Sequence, residues 1–201
     1  MDEAKRSAVL EAAARAFFDH GFAATSIEQV ASAAGVSKVT IYARFGDKRG
    51  LFIRAVEREC EKIRGHLAVP ALPQGSVRER LHAVGEAVVA FLSRPEMVRF
   101  ERRIAAETEA DPDIGAAFLA AGPHRMKAAF TALLQAMADA GELALPDAEL
   151  AAEQFVSMCK GMGDLERRFG AARDERREAG RIAGAVEVFM AAYGSDDGRR
   201  G

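Results

Sequence analysis

The side chains best suited to contact an anion are concentrated in one short stretch of the sequence. Five cationic residues share positions 36–54 with a single carboxylate, Asp47, whereas the whole chain is balanced, with 28 Lys and Arg against 30 Asp and Glu. A cation cluster in a chain of balanced charge indicates a local anionic partner. The cluster consists of Lys38, Arg44, Lys48, Arg49 and Arg54.

Residue types that serve catalysis or metal binding are scattered along the chain. The two cysteines lie far apart and the four histidines have no second ligand at metal-binding spacing. We therefore expect buried thiols and packing or helix-end histidines, with a redox role for a cysteine as the less favoured alternative. The carboxylates of 107–111 lack an acid–base partner, and no Ser-His-Asp set or phosphate loop occurs. The sequence predicts no enzyme, no metal and no cofactor. The residues concerned are Cys60, Cys159, His20, His66, His82 and His124.

Apolar residues recur every three or four positions over nearly the whole chain, which predicts an all-α protein. Helix caps fit this pattern: we expect Thr25 and Glu28 to form a capping box, Gly35 to end the second helix, and Ser37 and Asp47 to begin the next two. Further breaks follow at glycines and prolines. The predicted helices are 2–20, 25–35, 37–45, 47–66, 76–93, 95–109, 112–121, 123–140, 147–169 and 173–193.

The segment 68–75 combines two prolines with a glycine and predicts a linker between two domains, 1–66 and 76–194. The tail, 195–201, is expected to be disordered. The N-terminus is charged and the longest apolar run, 87–92, is far too short to span a membrane. We expect no membrane partner and a cytoplasmic location.

Two short helices joined at Gly35 match the helix-turn-helix pattern. On a helical wheel Ile41 and Phe45 point inward, so the opposite face of the second helix must point outward. Small, apolar and hydroxyl side chains on that face suit the thymine methyls and base edges of a major groove, and the tyrosine and cations suit phosphates. A surface turn between two helices is the alternative. The outward residues are Val39, Thr40, Tyr42 and Ala43, flanked by Lys38 and Arg44.

The stretch SAVLEAAARAFFDHGFAATSIEQVASAAGVSKVTIYARFGDKRGLF, residues 7–52, closely resembles the DNA-binding domain of the tetracycline-repressor (TetR) family. The matching features include Gly21-Phe22, the AGVS turn and Leu51-Phe52. Arg44 departs from the family, which commonly has His or Tyr there, so its role is left open. The resemblance and the helix-turn-helix pattern together predict DNA-binding roles for Thr25, Ser37, Lys38, Val39, Thr40, Tyr42, Ala43, Arg44 and Lys48.

Residues 98–162 look like the C-terminal domain of the AefR-like subgroup, which implies a ligand-responsive repressor without identifying the ligand. Aromatic and Met side chains beyond the linker suit an apolar cavity, although each alone is more often a core residue. Arg103, Glu107 and His124 are candidate polar anchors for the ligand. The predicted lining residues are Phe91, Phe100, Ile104, Phe118, Phe130, Phe155, Met158 and Met162.

The last two long helices contain glycines inside helical patterns, where each costs up to about 1 kcal/mol relative to Ala. On the final helix a large apolar face opposes a smooth face of small residues, which predicts one face toward the core and one toward a second subunit. The family resemblance implies the same four-helix dimer interface, whereas a buried helix in a monomer is the alternative. The predicted interface residues are Gly161, Gly180, Gly184 and Ala191.

Together these features predict a homodimeric repressor that is released from a palindromic operator DNA by a small apolar or amphipathic effector. Two rival hypotheses are a DNA-binding regulator that responds to no ligand and a helical enzyme or carrier with a vestigial DNA-binding domain.

Overall fold

The computed structural model describes residues 2–67 and 75–195, and these residues are organised as helices with one isolated antiparallel bridge between Leu143 and Gly194. The predicted linker and tail lie almost entirely outside the described residues. The helices are α1 (Glu3–Ala24), α2 (Ile27–Ala34), α3 (Lys38–Phe45), α4 (Lys48–Leu67), α5 (Val77–Leu92), α6 (Pro95–Glu107), α7 (Pro112–Ala121), α8 (Pro123–Asp139), α9 (Ala148–Arg168) and α10 (Glu175–Tyr193).

The all-α prediction is confirmed, and the helix ends follow local backbone chemistry. Gly35 ends α2 with φ 65° and ψ 34°, a left-handed conformation that glycine adopts without a Cβ penalty. The Ser37 Oγ accepts a hydrogen bond from the Thr40 amide at 3.1 Å and so caps α3. The Asp47 Oδ1 accepts from the Gly50 amide at 2.7 Å at the start of α4. The turn between α2 and α3 is therefore encoded locally.

The capping box of α2 lies one residue later than predicted. The Ser26 Oγ accepts from the Gln29 amide at 3.2 Å, and the Gln29 Oε1 accepts from the Ser26 amide at 3.1 Å. The prediction that Thr25 and Glu28 form this box is wrong because the Thr25 side chain turns inward. Thr25 and Ser26 are both of a residue type that caps helices, so tertiary packing decides which of them caps α2.

The chain divides into two compact units. The first unit consists of residues 1–62 and 95–125, so α6 and α7 pack with the helices that precede the predicted linker. Its interior is rich in phenylalanine: the Phe100 ring stacks on Phe18 at 4.3 Å between centroids, and Phe17 meets Phe52 edge-on at 5.2 Å. The predicted domain boundary near residue 70 stays a prediction, but packing of the first unit uses residues from both sides of it.

The second unit consists of residues 63–94 and 126–201. Its described core contains Phe130, Phe155 and Phe189. The ring centroid of Phe155 lies 5.5 Å from that of Phe130 and 5.3 Å from that of Phe189. Cys159 belongs to the same core, and burial raises the pKa of its thiol to about 12. A thiol that stays protonated is a poor nucleophile, which disfavours a redox role for Cys159.

A buried ion pair joins α9 to α10 in the second unit. The Arg167 guanidinium donates to the Glu178 carboxylate at 2.6 Å, and both side chains are buried. The same carboxylate accepts from Ser93 Oγ at 3.0 Å and from Arg173 Nε at 2.6 Å. A buried carboxylate with three donors is well satisfied, so removal of one partner would leave an uncompensated charge.

No helix in residues 2–67 and 75–195 is both long and apolar enough to cross a membrane.

Candidate nucleic-acid interface

Helix α3 separates a buried side from an exposed side as the helical wheel predicts. Ile41 is fully buried, whereas Val39 exposes 70% and Tyr42 45% of its surface. Ala43 and Arg44 are exposed as well. A helix of eight residues that buries one central side chain and presents a continuous outer face has the form of a recognition helix.

The polar groups at the start of α3 are already engaged. The Lys38 Nζ donates to the Glu28 Oε1 at 3.0 Å, and this hydrogen bond raises the pKa of Lys38 and lowers that of Glu28. Because both side chains are exposed, the pair contributes little to stability. The Ser37 Oγ lies 2.9 Å from the Thr40 Oγ1. Each hydroxyl keeps some hydrogen-bonding capacity, because a hydroxyl has one donor and two acceptor sites.

Lys48 is placed by contacts to the end of α1. Its Nζ donates to the Ala23 carbonyl at 3.0 Å and lies 4.7 Å from the centroid of the Phe22 ring. Partial burial lowers the pKa of Lys48, and the nearby Glu107 charge opposes this effect. An ammonium group has three donors, so Lys48 keeps donors for a phosphate. Its predicted phosphate contact stays a prediction.

Two other cations of the cluster are held by carboxylates. Arg49 donates to Asp111 at 2.9 Å and to Asp113 at 3.1 Å, so α4 is tied to the start of α7. Arg54 pairs with Glu57 at 2.7 Å within α4. The cation cluster seen in the sequence is thus partly neutralised inside the first unit.

The Thr25 side chain is turned into the protein, which does not support its predicted DNA contact. The residue is 1% exposed, and its hydroxyl donates toward the Ala16 carbonyl at 3.0 Å and the Gly21 carbonyl at 2.7 Å. These acceptors lie near the point where Gly21, with φ 84° and ψ 179°, interrupts α1. Thr25 therefore stabilises the passage from α1 to α2 from inside.

Sequence reasoning missed a clamp that α6 forms on this passage. The Glu107 Oε2 accepts from the Phe22 amide at 3.0 Å and the Ala23 amide at 3.1 Å. The Arg103 Nη1 donates to the Phe18 carbonyl at 2.8 Å. Both residues were predicted as polar anchors for a ligand; their observed partners are backbone groups of α1. No local pattern signals a contact between residues 84 or 85 positions apart.

The predicted ligand-lining residues are divided between the units. Phe100, Ile104 and Phe118 belong to the first unit, where the Phe100 ring meets the Phe118 ring at 5.5 Å. The others lie in the second unit, and there Met162 exposes 62% of its surface. In a single chain Met162 cannot line an enclosed cavity, which corrects that assignment. The remaining second-unit residues are Phe91, Phe130, Phe155 and Met158. His124, the third predicted anchor, is exposed.

The predicted interface glycines have two different settings. Gly180 and Gly184 are exposed on α10 with open space where a side chain would begin, and Ala191 is exposed too. Gly161 instead interrupts α9 with φ 47° and ψ −156°. A Cβ at Gly161 would lie 2.8 Å from the Arg181 Cδ. The occurrence of glycine at 161 therefore has a cause within one chain.

Two family descriptions match the sequence. The description "Bacterial regulatory proteins, tetR family" matches residues 9–55, and "AefR-like transcriptional repressor, C-terminal domain" matches residues 79–195. The first match covers α2 and α3 with the turn between them, and the second covers α6 to α10. The second match alone spans more than half of the chain.

Solved structures resemble the whole chain. A TetR-family transcriptional regulator from Mesorhizobium loti MAFF303099 has a TM-score of 0.81 and 26% identity, over 96% of this chain and 100% of that one. The flavonoid-responsive regulator FrrA has a TM-score of 0.75 and 31% identity, and the match covers 94% of this chain and 97% of FrrA. In sequence, the HTH-type transcriptional activator FasR of Mycolicibacterium smegmatis is 30% identical over 88 residues, which span 44% of this chain but only 40% of FasR.

Proposed function

The chain belongs to the TetR family of transcriptional regulators, and we propose that it is a homodimeric repressor that a small apolar or amphipathic molecule releases from a palindromic operator. The relatives and the fold are those of regulators that bind DNA through a helix-turn-helix, not those of enzymes. Such a protein acts on DNA in the cytoplasm. The observation that carries the proposal is the outer face of α3, where Val39 and Tyr42 are exposed opposite the buried Ile41.

The proposed DNA contacts fall into two kinds. Val39, Thr40 and Ala43 face base edges, because a recognition helix reads bases with its outer, N-terminal part. Tyr42 and Lys48 hold phosphates, which fix the position of the helix without reading sequence. Lys38 and Ser37 lie at the edge of this surface: the Lys38 ammonium donates one hydrogen bond to Glu28, and the Ser37 hydroxyl caps α3. Arg44 extends the surface in the last turn of α3.

The proposed dimer uses the exposed sides of α9 and α10. Gly180, Gly184 and Ala191 are small and exposed on α10, and large apolar side chains of α9, of its C-terminal end and of α10 face solvent in the single chain. Exposed apolar side chains concentrated on one pair of helices favour burial against another protein surface. Two-fold symmetry would match the same faces of two copies. The exposed apolar residues are Leu150, Met162, Leu165, Phe169 and Val188.

The proposed effector response is supported by the structural likeness to FrrA, whose name states that it responds to flavonoids. By analogy we propose a planar aromatic molecule as the effector class. Its binding would favour a conformation in which the two recognition helices no longer fit successive major grooves. FasR is an activator, so activation is a second candidate for the sign of regulation. A regulator that responds to no ligand is a third candidate.

Selection of DNA fragments from a random library by the purified protein tests the proposal. We expect enrichment of a two-fold symmetric sequence whose half-site centres are about one helical turn, or a multiple of it, apart. Titration of the bound operator with a panel of flavonoids then tests effector release. No enriched sequence would overturn the DNA-binding function, and no release by any compound would leave the ligand-independent regulator as the better candidate.

A further inference from the structure

The first turn of α3 presents one apolar side chain, Val39, that is 70% exposed. The Lys38 Nζ is held by Glu28 at 3.0 Å, and the Ser37 Oγ accepts from the Thr40 amide at 3.1 Å. The Thr40 Oγ1 lies within 2.9 Å of that same serine oxygen. Between these polar groups, Val39 carries its two methyl groups into solvent. The N-terminal part of α3 therefore presents the two methyl groups of Val39 beside polar side chains that already have a partner within the chain.

The exposure of Val39 is unusual within its unit. It leaves 70% of its surface in water, whereas Tyr42 and Leu119, the other exposed large apolar side chains recorded in the first unit, leave 45% and 44%. Valine is β-branched, and in a helix it occupies essentially one χ1 rotamer. The two methyl groups are thus held in a fixed position at no further entropic cost on binding. A rigid, exposed apolar side chain at this position is suited to contact an apolar group of the DNA.

We propose that Val39 is a specificity-determining residue that reads the 5-methyl group of a thymine in each operator half-site. The thymine methyl is the apolar feature that a base edge presents in the major groove, and an apolar side chain is its complement. This inference rests on the proposed operator binding and adds the chemical group that is recognised. It also predicts that Arg–guanine pairing does not originate from the first turn of α3, where Lys38 is the only cation.

Replacement of thymine by deoxyuridine tests the inference, because it removes the methyl group and leaves base pairing unchanged. Each thymine of the selected operator is replaced in turn, symmetrically in both half-sites, and the dissociation constant is measured. At one symmetric position we expect affinity to fall about fourfold per half-site, and about fifteenfold for both, the effect of leaving one methyl group unburied. The same loss is expected for Val39→Ala on the thymine operator.

The two changes must be non-additive if they remove the same contact. For Val39→Ala the ratio of thymine to deoxyuridine affinity at that position should fall to about one. Leu119→Ala, which truncates another exposed apolar side chain of the first unit, should keep the wild-type ratio. Because Val39 is exposed and Ala favours helices, Val39→Ala should melt at or above the wild-type temperature.

Three outcomes would overturn the inference: a selected half-site without thymine, equal affinity for thymine and deoxyuridine at every position, or full thymine preference in Val39→Ala. In each of these cases a selected operator still exists, so the proposed DNA-binding function stands. Failure to select any sequence would instead overturn that function.

Discussion

A hydroxyl residue close to a helix-turn-helix can serve the protein rather than the DNA, and Thr25 is such a case. Its type suits a phosphate contact, but its hydroxyl is within hydrogen-bonding distance of two backbone carbonyls, of Ala16 and Gly21. The Thr25 side chain itself is buried, so its hydroxyl is withdrawn from water. The role of the residue is therefore to stabilise the turn from α1 to α2.

Thr25→Val should lower the free energy of unfolding by about 1–3 kcal/mol, because valine has the same shape but removes the donor from the buried hydrogen bond to the Gly21 carbonyl. Chemical denaturation measures the change. Thr25→Ser keeps the hydroxyl and should lose less. If Thr25→Val kept wild-type stability and lost only DNA affinity, the residue would be a DNA contact after all.

Lys48 can be tested with a substitution that removes its charge and keeps most of its apolar stem beside Phe22. Lys48→Met should weaken binding to all DNA sequences alike and reduce the log–log salt slope of the dimer by about 2, since two phosphate contacts are lost. Binding titrations across salt concentrations measure the slope. Lys127→Ala, a lysine of the second unit that pairs with Glu149, is the control and should leave it unchanged. An unaltered slope in Lys48→Met would show that the ammonium serves only the Ala23 carbonyl.

At the scale of the helices, local signals sufficed for most of the fold. Gly35, Ser37 and Asp47 each act within four residues of their own position, and each was predicted correctly. The capping box of α2 was misplaced because Thr25 and Ser26 are both good caps and only the tertiary structure buries one of them. Contacts such as Glu107 with the Phe22 amide were beyond prediction, since nothing in the neighbouring sequence of either residue depends on the other.

The contribution of the Glu107 hydrogen bonds to stability can be measured. Glu107→Ala should lower the free energy of unfolding by about 1–3 kcal/mol, because the Phe22 and Ala23 amides lose a charged acceptor. Amide hydrogen exchange at these two residues should accelerate more than exchange elsewhere in α1. Glu107→Gln retains an acceptor oxygen and should have a smaller effect on both. Unchanged exchange in Glu107→Ala would mean that other groups hold this turn.

The interruption of α9 can be tested by adding one methyl group. Gly161→Ala should lower the free energy of unfolding by about 1–3 kcal/mol, because its φ of 47° is strained for any residue with a Cβ and the Arg181 side chain must move. Gly180→Ala adds the same group at a helical position that is open in the single chain; compared in a monomeric background, it should raise the free energy of unfolding by about 0.5–1 kcal/mol. Denaturation at equal protein concentration compares them. Equal effects of the two variants would refute the difference between their settings.

At the scale of the molecule, the central prediction is the two-fold dimer. Gly184→Glu places a charge on the exposed face of α10, where the single chain has open space for it. The variant should therefore fold normally and be monomeric by light scattering, because an unpaired charge is costly inside an interface. Ala105→Glu, at an exposed position of α6, should stay dimeric. A monomeric wild type, or a dimeric Gly184→Glu, would assign the interface elsewhere.

Sequence patterns predicted the all-α class, but they did not show that α6 and α7 pack in the same unit as α1 to α3. The apolar periodicity predicted the helices, and the helical wheel predicted which side of α3 is exposed. The ligand-lining set stays a prediction, and its members belong to two packing units because Phe100 and Phe130 look alike in a helical pattern. Which unit an aromatic side chain joins depends on contacts made far along the chain.

The clamp at Glu107 also constrains how such proteins can be recombined. Its Oε2 atom accepts from main-chain amides, so a foreign α1–α4 segment of the same backbone shape would still be held, whatever residues other than proline it carried at positions 22 and 23. The pairing of Arg49 with Asp111 and Asp113 is between side chains and would not survive such an exchange unless the donor chain also had a cation there. A chimera built by joining segments at 68–75 would therefore keep the Glu107 contacts. To keep the second attachment as well, Arg49 would have to come from the same parent as α7.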